Sequence, residues 1–261
     1  MEQIWETNNR KLTLSVKIYC EEKCRFSIIA EDLKPNSRYV DREIDVVGNR
    51  TIELKFPVSP KKIRIRITST KDNFKKPNFI VNIEEKELTT YNIFLDNTAQ
   101  EFLKLAIPFC QICGFTNVGK GGRIFSVPDR KFNIRYMDKI RDYQTGQVFN
   151  TPARVGHQTG IIEISKEKYD KYTIPMRLII LLHEFSHKYR NEKIGLPISH
   201  EIGADINALY IYLGLGFSKV DAIYVFANVF LKAQTPGNIK RMRKIQEYIA
   251  KFENGEFAKK N

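Results

Sequence analysis

Long apolar runs are missing from this 261-residue chain. The longest strongly apolar stretch is Leu178 to Leu182, five residues, against the roughly 20 that a bilayer-spanning helix needs. No membrane span is therefore expected. The first ten residues carry neither a basic head nor an apolar stretch, so no secretory signal is expected and a reducing, cytoplasmic setting is. Cysteine is scarce, with four residues in two close pairs, Cys20/Cys24 and Cys110/Cys113. Such pairs are half-sites for zinc by spacing alone. Here Cys20 ends a strand-like run and Cys110/Cys113 lie on an apolar helix-like stretch, so reduced core thiols are expected rather than ligands or a disulfide. Repeats and low-complexity segments are absent as well.

Acidic residues are in the minority, 30 against 43 lysines and arginines, for a net charge of +13. Hydrophobic residues at 42% and charged residues at 28% exclude disordered and fibrous architectures. The positive excess is concentrated between Lys55 and Lys76, where Lys55, Lys61, Lys62, Arg64, Arg66, Lys71, Lys75 and Lys76 face one acid, Asp72. This pattern fits a footprint for nucleic acid or an acidic protein partner. The plainer reading is a solvated strand face whose lysines guard an edge.

The chain has two textures. Residues 1–95 read as an all-β, sandwich-like domain: short runs of Ile, Val, Phe and Tyr between turn signals such as Lys34-Pro35-Asn36 and Gly48-Asn49. Alternation is clear in Lys62-Ile63-Arg64-Ile65-Arg66-Ile67, with isoleucines on one side and cations on the other. Residues 96–261 form the second domain. Asp96 or Asn97 can cap a helix carrying Phe102, Leu103, Ala106 and Phe109. Strands are expected at Phe132–Tyr136 and Gly160–Ser165, and everything beyond Lys171 reads as helix. The glycine-rich Gly119–Gly122 lacks the spacing and Lys-Ser/Thr ending of a phosphate loop.

One segment carries chemistry: Leu178-Ile-Ile-Leu-Leu-His183-Glu184-Phe185-Ser186-His187. With 4 histidines in the whole chain, a His-Glu-x-x-His match is expected by chance only about 0.004 times. Pro175 suits the first turn of the helix and Thr173 is a candidate cap. Four residues are slightly more than one turn, so both imidazoles leave one helix face and can share one metal. Glu184 is turned about 100° from His183, able to reach a water at the metal without ligating it. A hydrolytic zinc takes three protein ligands. On the next expected helix, capped by Ser199, the residues Glu201, Ala204, Asp205 and Ala208 share a face. Glu201 is assigned as third ligand, with small Ala204 and Ala208 allowing close approach and Asp205 supporting an imidazole from behind. His200 is the rival third ligand, and Asp205 itself the next.

His183-Glu184-x-x-His187 followed by Glu201-x-x-Ala204-Asp205 resembles the gluzincin metallopeptidases, in particular the compact minigluzincins and the HtpX-type proteases. The resemblance spans about residues 97–250. It implies an α+β chain whose second domain is zincin-like: a mixed sheet with an edge strand, the active-site helix, and a mostly helical C-terminal half. Gly160–Ser165 resembles the edge strand that holds substrate in these enzymes, so Ile161, Ile162, Glu163 and Ile164 are the implied substrate strand. Thr235-Pro236-Gly-Asn-Ile-Lys-Arg241-Met242 loosely resembles their His-Pro-x4-Arg-Ile element, with Thr235 in place of histidine. The implied activity is zinc-dependent hydrolysis of a peptide or protein substrate, with Glu184 as general base. His157, Tyr189, Tyr210 and Tyr224 are candidates for a second group that stabilises the transition state. A structural or virion-associated protein that keeps the peptidase fold, and a nucleic-acid-associated protein using the basic β face, are the alternatives.

Overall fold

The computed structural model describes residues 1–69, 79–128, 131–156, 158–189, 200–257 and 259–260. The chain is of mixed α/β composition and divides into two compact units, Met1–Thr89 and Thr90–Asn261. The division falls a few residues before the expected one at 95/96. The cause is local: strand pairing ties Tyr91–Asn92 to Lys259–Lys260, and the Phe94 N–H donates to the Tyr210 hydroxyl at 2.9 Å.

The first unit is built from β1 (Glu2–Glu6), β2 (Leu12–Glu31), β3 (Arg38–Phe56), β4 (Lys62–Ser69) and β5 (Phe79–Lys86). β2 and β3 form one long antiparallel hairpin, with a register shift between Cys20 and Cys24. The far side of β2 is shared: its first half pairs with β5 and its second half with β4, which in turn carries β1. The two-sheet sandwich expected from sequence is thus replaced, among the described residues, by one five-stranded antiparallel sheet. The reason is strand length. Strands of 20 and 19 residues run through the whole unit and hydrogen-bond both of its ends into one sheet.

Period-two patterning fixes the faces. Ile63, Ile65 and Ile67 are buried, and Lys62, Arg64 and Arg66 are not. These cations do not guard an edge, because β4 lies between β1 and β2. They meet acids instead: Lys62 with Glu6, Arg64 with Glu2 and Glu31, and Arg66 with Glu31. The stripe is therefore a cross-strand charge ladder. Lys71, Asp72, Lys75 and Lys76 lie outside the described residues. All four cysteines are reduced and buried, as expected.

The second unit opens with β6 (Tyr91–Asn92) and α1 (Asn97–Ile112), capped as foreseen by Asp96, which accepts from the Ala99 N–H. Then follow β7 (Arg123–Ser126), β8 (Asn133–Met137), β9 (Ala153–Val155) and β10 (Ile162–Ser165). They form a mixed sheet in the order β7-β8-β10-β9, with β8 and β10 parallel. The rest is α2 (Lys166–Tyr169), α3 (Ile174–Ser186), α4 (His200–Gly214), α5 (Lys219–Val225), a π-helical turn over Phe226–Phe230, α6 (Pro236–Glu253) and β11 (Lys259–Lys260). Thr173 stands at the start of α3, but its side chain makes no capping bond; Pro175 occupies the first turn. The expected cap Ser199 lies outside the described residues.

Every residue of α3 is buried. A polar residue in such a helix must find partners. Arg177 does so by donating to the carbonyls of Cys110, Tyr169 and Asp170. Aromatic stacking holds α3 against α1: the Phe102 and Phe185 rings lie 4.0 Å apart and 5° from parallel. Phe102→Ala removes this stack from a fully buried position. It should cost about 3–5 kcal/mol of stability, read as a lowered midpoint in urea denaturation with the slope unchanged.

Candidate metal centre

His183 lies in the last turn of α3 and His187 is the residue that ends the helix, still in helical conformation (φ −68°, ψ −22°). One turn apart, their Nε2 atoms stand 3.2 Å from each other. α4 packs against α3, and Ala204 and Ala208 of α4 are buried. Asn207 pins this packing by donating to Ser186 Oγ at 2.9 Å and to the Tyr189 carbonyl at 3.1 Å. This brings the Glu201 carboxylate over the imidazole pair, with Oε2 3.7 Å from His183 Nε2 and Oε1 3.8 Å from His187 Nε2. Among the described residues, His183, His187 and Glu201 form the cluster with metal-ligating geometry.

Tetrahedral zinc with bonds of about 2.0–2.2 Å puts its ligand atoms about 3.3 Å apart. The two Nε2 atoms already stand at that spacing, and one Glu201 oxygen lies with them inside a 4.8 Å span that a small movement of its half-exposed side chain would close. Two imidazole nitrogens and one carboxylate oxygen are also a donor set that zinc accepts. The residues therefore fit the ion. The His183 side chain is buried and that of Glu201 is half-exposed, so the cluster opens to solvent on the α4 side.

Asp205, fully buried, places Oδ1 3.0 Å from His183 Nδ1, which is hydrogen-bonding distance without ideal hydrogen-bond alignment. That contact turns Nε2 toward the cluster. Behind Asp205 stands Arg241 of α6, donating Nε to Oδ2 at 2.8 Å and Nη2 to Oδ1 at 2.9 Å. Burial alone would raise the Asp205 pKa; hydrogen bonds from His183 and Arg241 more than offset it and hold the group below the ordinary carboxylate range. Glu184 is also buried, and there burial prevails, aided by the Glu201 charge, so its pKa is raised despite nearby His183 and a backbone hydrogen bond from Val155.

The structure thus brings together His183, Glu184, His187, Glu201 and Asp205. Two other sets fare differently. Ile161–Ile164 does not form a sheet edge: β10 is bonded to β8 on one side and β9 on the other, and the Ile161 carbonyl accepts from the Gly156 N–H. Among the described residues the outermost strand on this side is β9, Ala153–Val155, whose Val155 N–H bonds Glu184. A three-residue strand with only Ala, Arg and Val carries no periodic signal, so sequence gave no warning of it. Among the second-group candidates, Tyr210 points away, its hydroxyl held by the Phe94 N–H. Tyr224 is half-exposed and neighbours Tyr172, before the start of α3, and Ile174 to His183 along the helix is about 13 Å. Tyr189 is buried and stacked on Phe185. His157 and the His200 side chain lie outside the described residues.

Phe230, not foreseen, covers His183 with its ring centroid 4.0 Å from the imidazole, and Phe226 stands 6.5 Å away. Both come from the π-helical turn, a distortion common at functional sites. No protein-family model, no curated protein and no solved structure matches the chain.

The raised Glu184 pKa has a consequence for stability. Its folded value lies above the unfolded one of about 4.3, so ionising it opposes folding as pH rises past that value. In the presence of a chelator, Glu184→Gln should melt at a higher temperature than wild type at pH 7–8. The difference should shrink as pH falls through 4 and vanish about a unit below it, where both states are protonated; thermal melts across pH check this.

Proposed function

We propose that the second unit is a zinc-dependent peptide hydrolase of gluzincin type. The observation that carries this reading is that His183 Nε2, His187 Nε2 and a Glu201 carboxylate oxygen, from two successive helices, lie within 4.8 Å of one another. Coincidental surface acids do not explain it, because His183 and its supporting Asp205 are buried and oriented toward each other. Zinc held by these three residues would supply Lewis acidity, lowering the pKa of a water toward about 7 and polarising a substrate carbonyl.

The chain's own residues supply the rest. Glu184 is one step around the helix from His183, close to the cluster but outside it. Burial makes its carboxylate more basic than usual, which suits a group that takes a proton from water and hands it to the departing amine. An extended peptide adding to Ala153–Val155 as a further strand would displace contacts already made there, since the Val155 N–H bonds Glu184 and the Ala153 carbonyl accepts from Thr151 Oγ1. Phe230 and Phe226 wall off one side of His183 and exclude water from it. Excluding water strengthens every charge interaction within the site.

An unfolded protein substrate incubated with zinc-loaded protein should be cleaved, with activity abolished by a chelator and restored by zinc. Glu184→Gln should bind zinc at unchanged stoichiometry and lose about 10²–10⁴-fold in turnover, the usual worth of a general base. Full activity in that variant removes Glu184 from the base role. Hydrolysis indifferent to chelation defeats the reading altogether.

A further inference from the structure

We infer that Arg241 is the positioning residue of the metal centre: a single guanidinium sets both the ligand Glu201 and the support of the ligand His183. This rests on the metal-site reading above and adds a residue to it. Glu201 and Asp205 are four apart on α4, so their carboxylates project from one face. Two like charges at that spacing repel, and Asp205 is fully buried. A cation between them removes the conflict.

Arg241 fills that place. Its side chain is 12% exposed, and its fork spans both oxygens of Asp205 while Nη2 stands 3.0 Å from Glu201 Oε2. The planar guanidinium makes such a two-carboxylate bridge from fixed donors, and a lysine ammonium, a point charge, cannot reproduce its geometry. The consequence runs in two directions. Through Asp205, Arg241 fixes the ring of His183. Directly, it restrains the half-exposed Glu201 side chain, which would otherwise move among rotamers in solvent. Both effects prepare ligands before the ion arrives, so Arg241 should govern affinity for zinc without ligating it. α6 is placed for this by its own start: Thr235 accepts from the Asn238 N–H and Pro236 opens the first turn, about one and a half turns ahead of Arg241.

The test is zinc affinity of the full chain, measured by competition with a chromogenic chelator, alongside circular dichroism of the metal-free protein. Arg241→Met should weaken zinc binding about 10- to 100-fold, the range for partners that orient ligands. Arg241→Lys should lose several-fold and stay folded, which keeps the test decisive if the methionine variant does not fold. Because Arg241 acts partly through Asp205, the loss in Arg241→Met/Asp205→Asn should be smaller than the product of the single losses. Wild-type affinity in a folded Arg241→Lys or Arg241→Met variant overturns the inference, as do strictly multiplicative losses in the double variant. Failure of the wild-type chain to bind zinc would instead defeat the metal-site reading itself.

Discussion

A helix buried along its whole length carries two imidazoles one turn apart, and the surrounding structure answers that constraint. Apolar packing can enclose the aliphatic run Leu178–Leu182, but it cannot satisfy ring nitrogens. Asp205 meets His183 from behind, Glu201 meets both rings from the front, and Arg241 offsets the two acids. Remove any of these and a buried or closely packed polar group loses its partner, which costs more than the contact itself contributes. An isolated His-Glu-x-x-His on a surface helix would need none of this. The layered arrangement, imidazole then acid then guanidinium, is what favours the proposed metal centre over two incidental histidines.

The fold of the second unit places these groups by ordinary means. Asn207 ties α4 to α3, and the Phe102–Phe185 stack holds α3 against α1. β9 lies beside Glu184, so the outermost described strand on that side of the sheet and the candidate base are neighbours. The first unit uses a different logic, a long hairpin whose two halves recruit different partner strands.

Features with a strong local period or a fixed spacing were legible in the sequence. The alternating isoleucines of β4, the Asp96 cap, the helices after Lys171 and the five residues His183, Glu184, His187, Glu201 and Asp205 all rest on patterns of two, three or four residues. What escaped depends on distant pairing. Whether β10 lies at an edge is decided by β9, too short to show a period. Whether the N-terminal strands make one sheet or two is decided by the length of β2 and β3. Arg241 lies 36 residues from Asp205, a separation at which no local spacing links a guanidinium to its carboxylate partners. Phe230 depends on a π-helical turn that no residue pattern announced.

The central claim is that two imidazoles and a carboxylate hold one zinc. X-ray absorption at the zinc edge, on the purified chain loaded with one equivalent and dialysed, addresses it directly. The account predicts one retained zinc with only nitrogen and oxygen neighbours at about 2.0–2.2 Å and the scattering signature of two imidazoles. A sulfur shell at about 2.3 Å would place the metal on the cysteines instead, and a chain that retains no zinc would contradict the account outright.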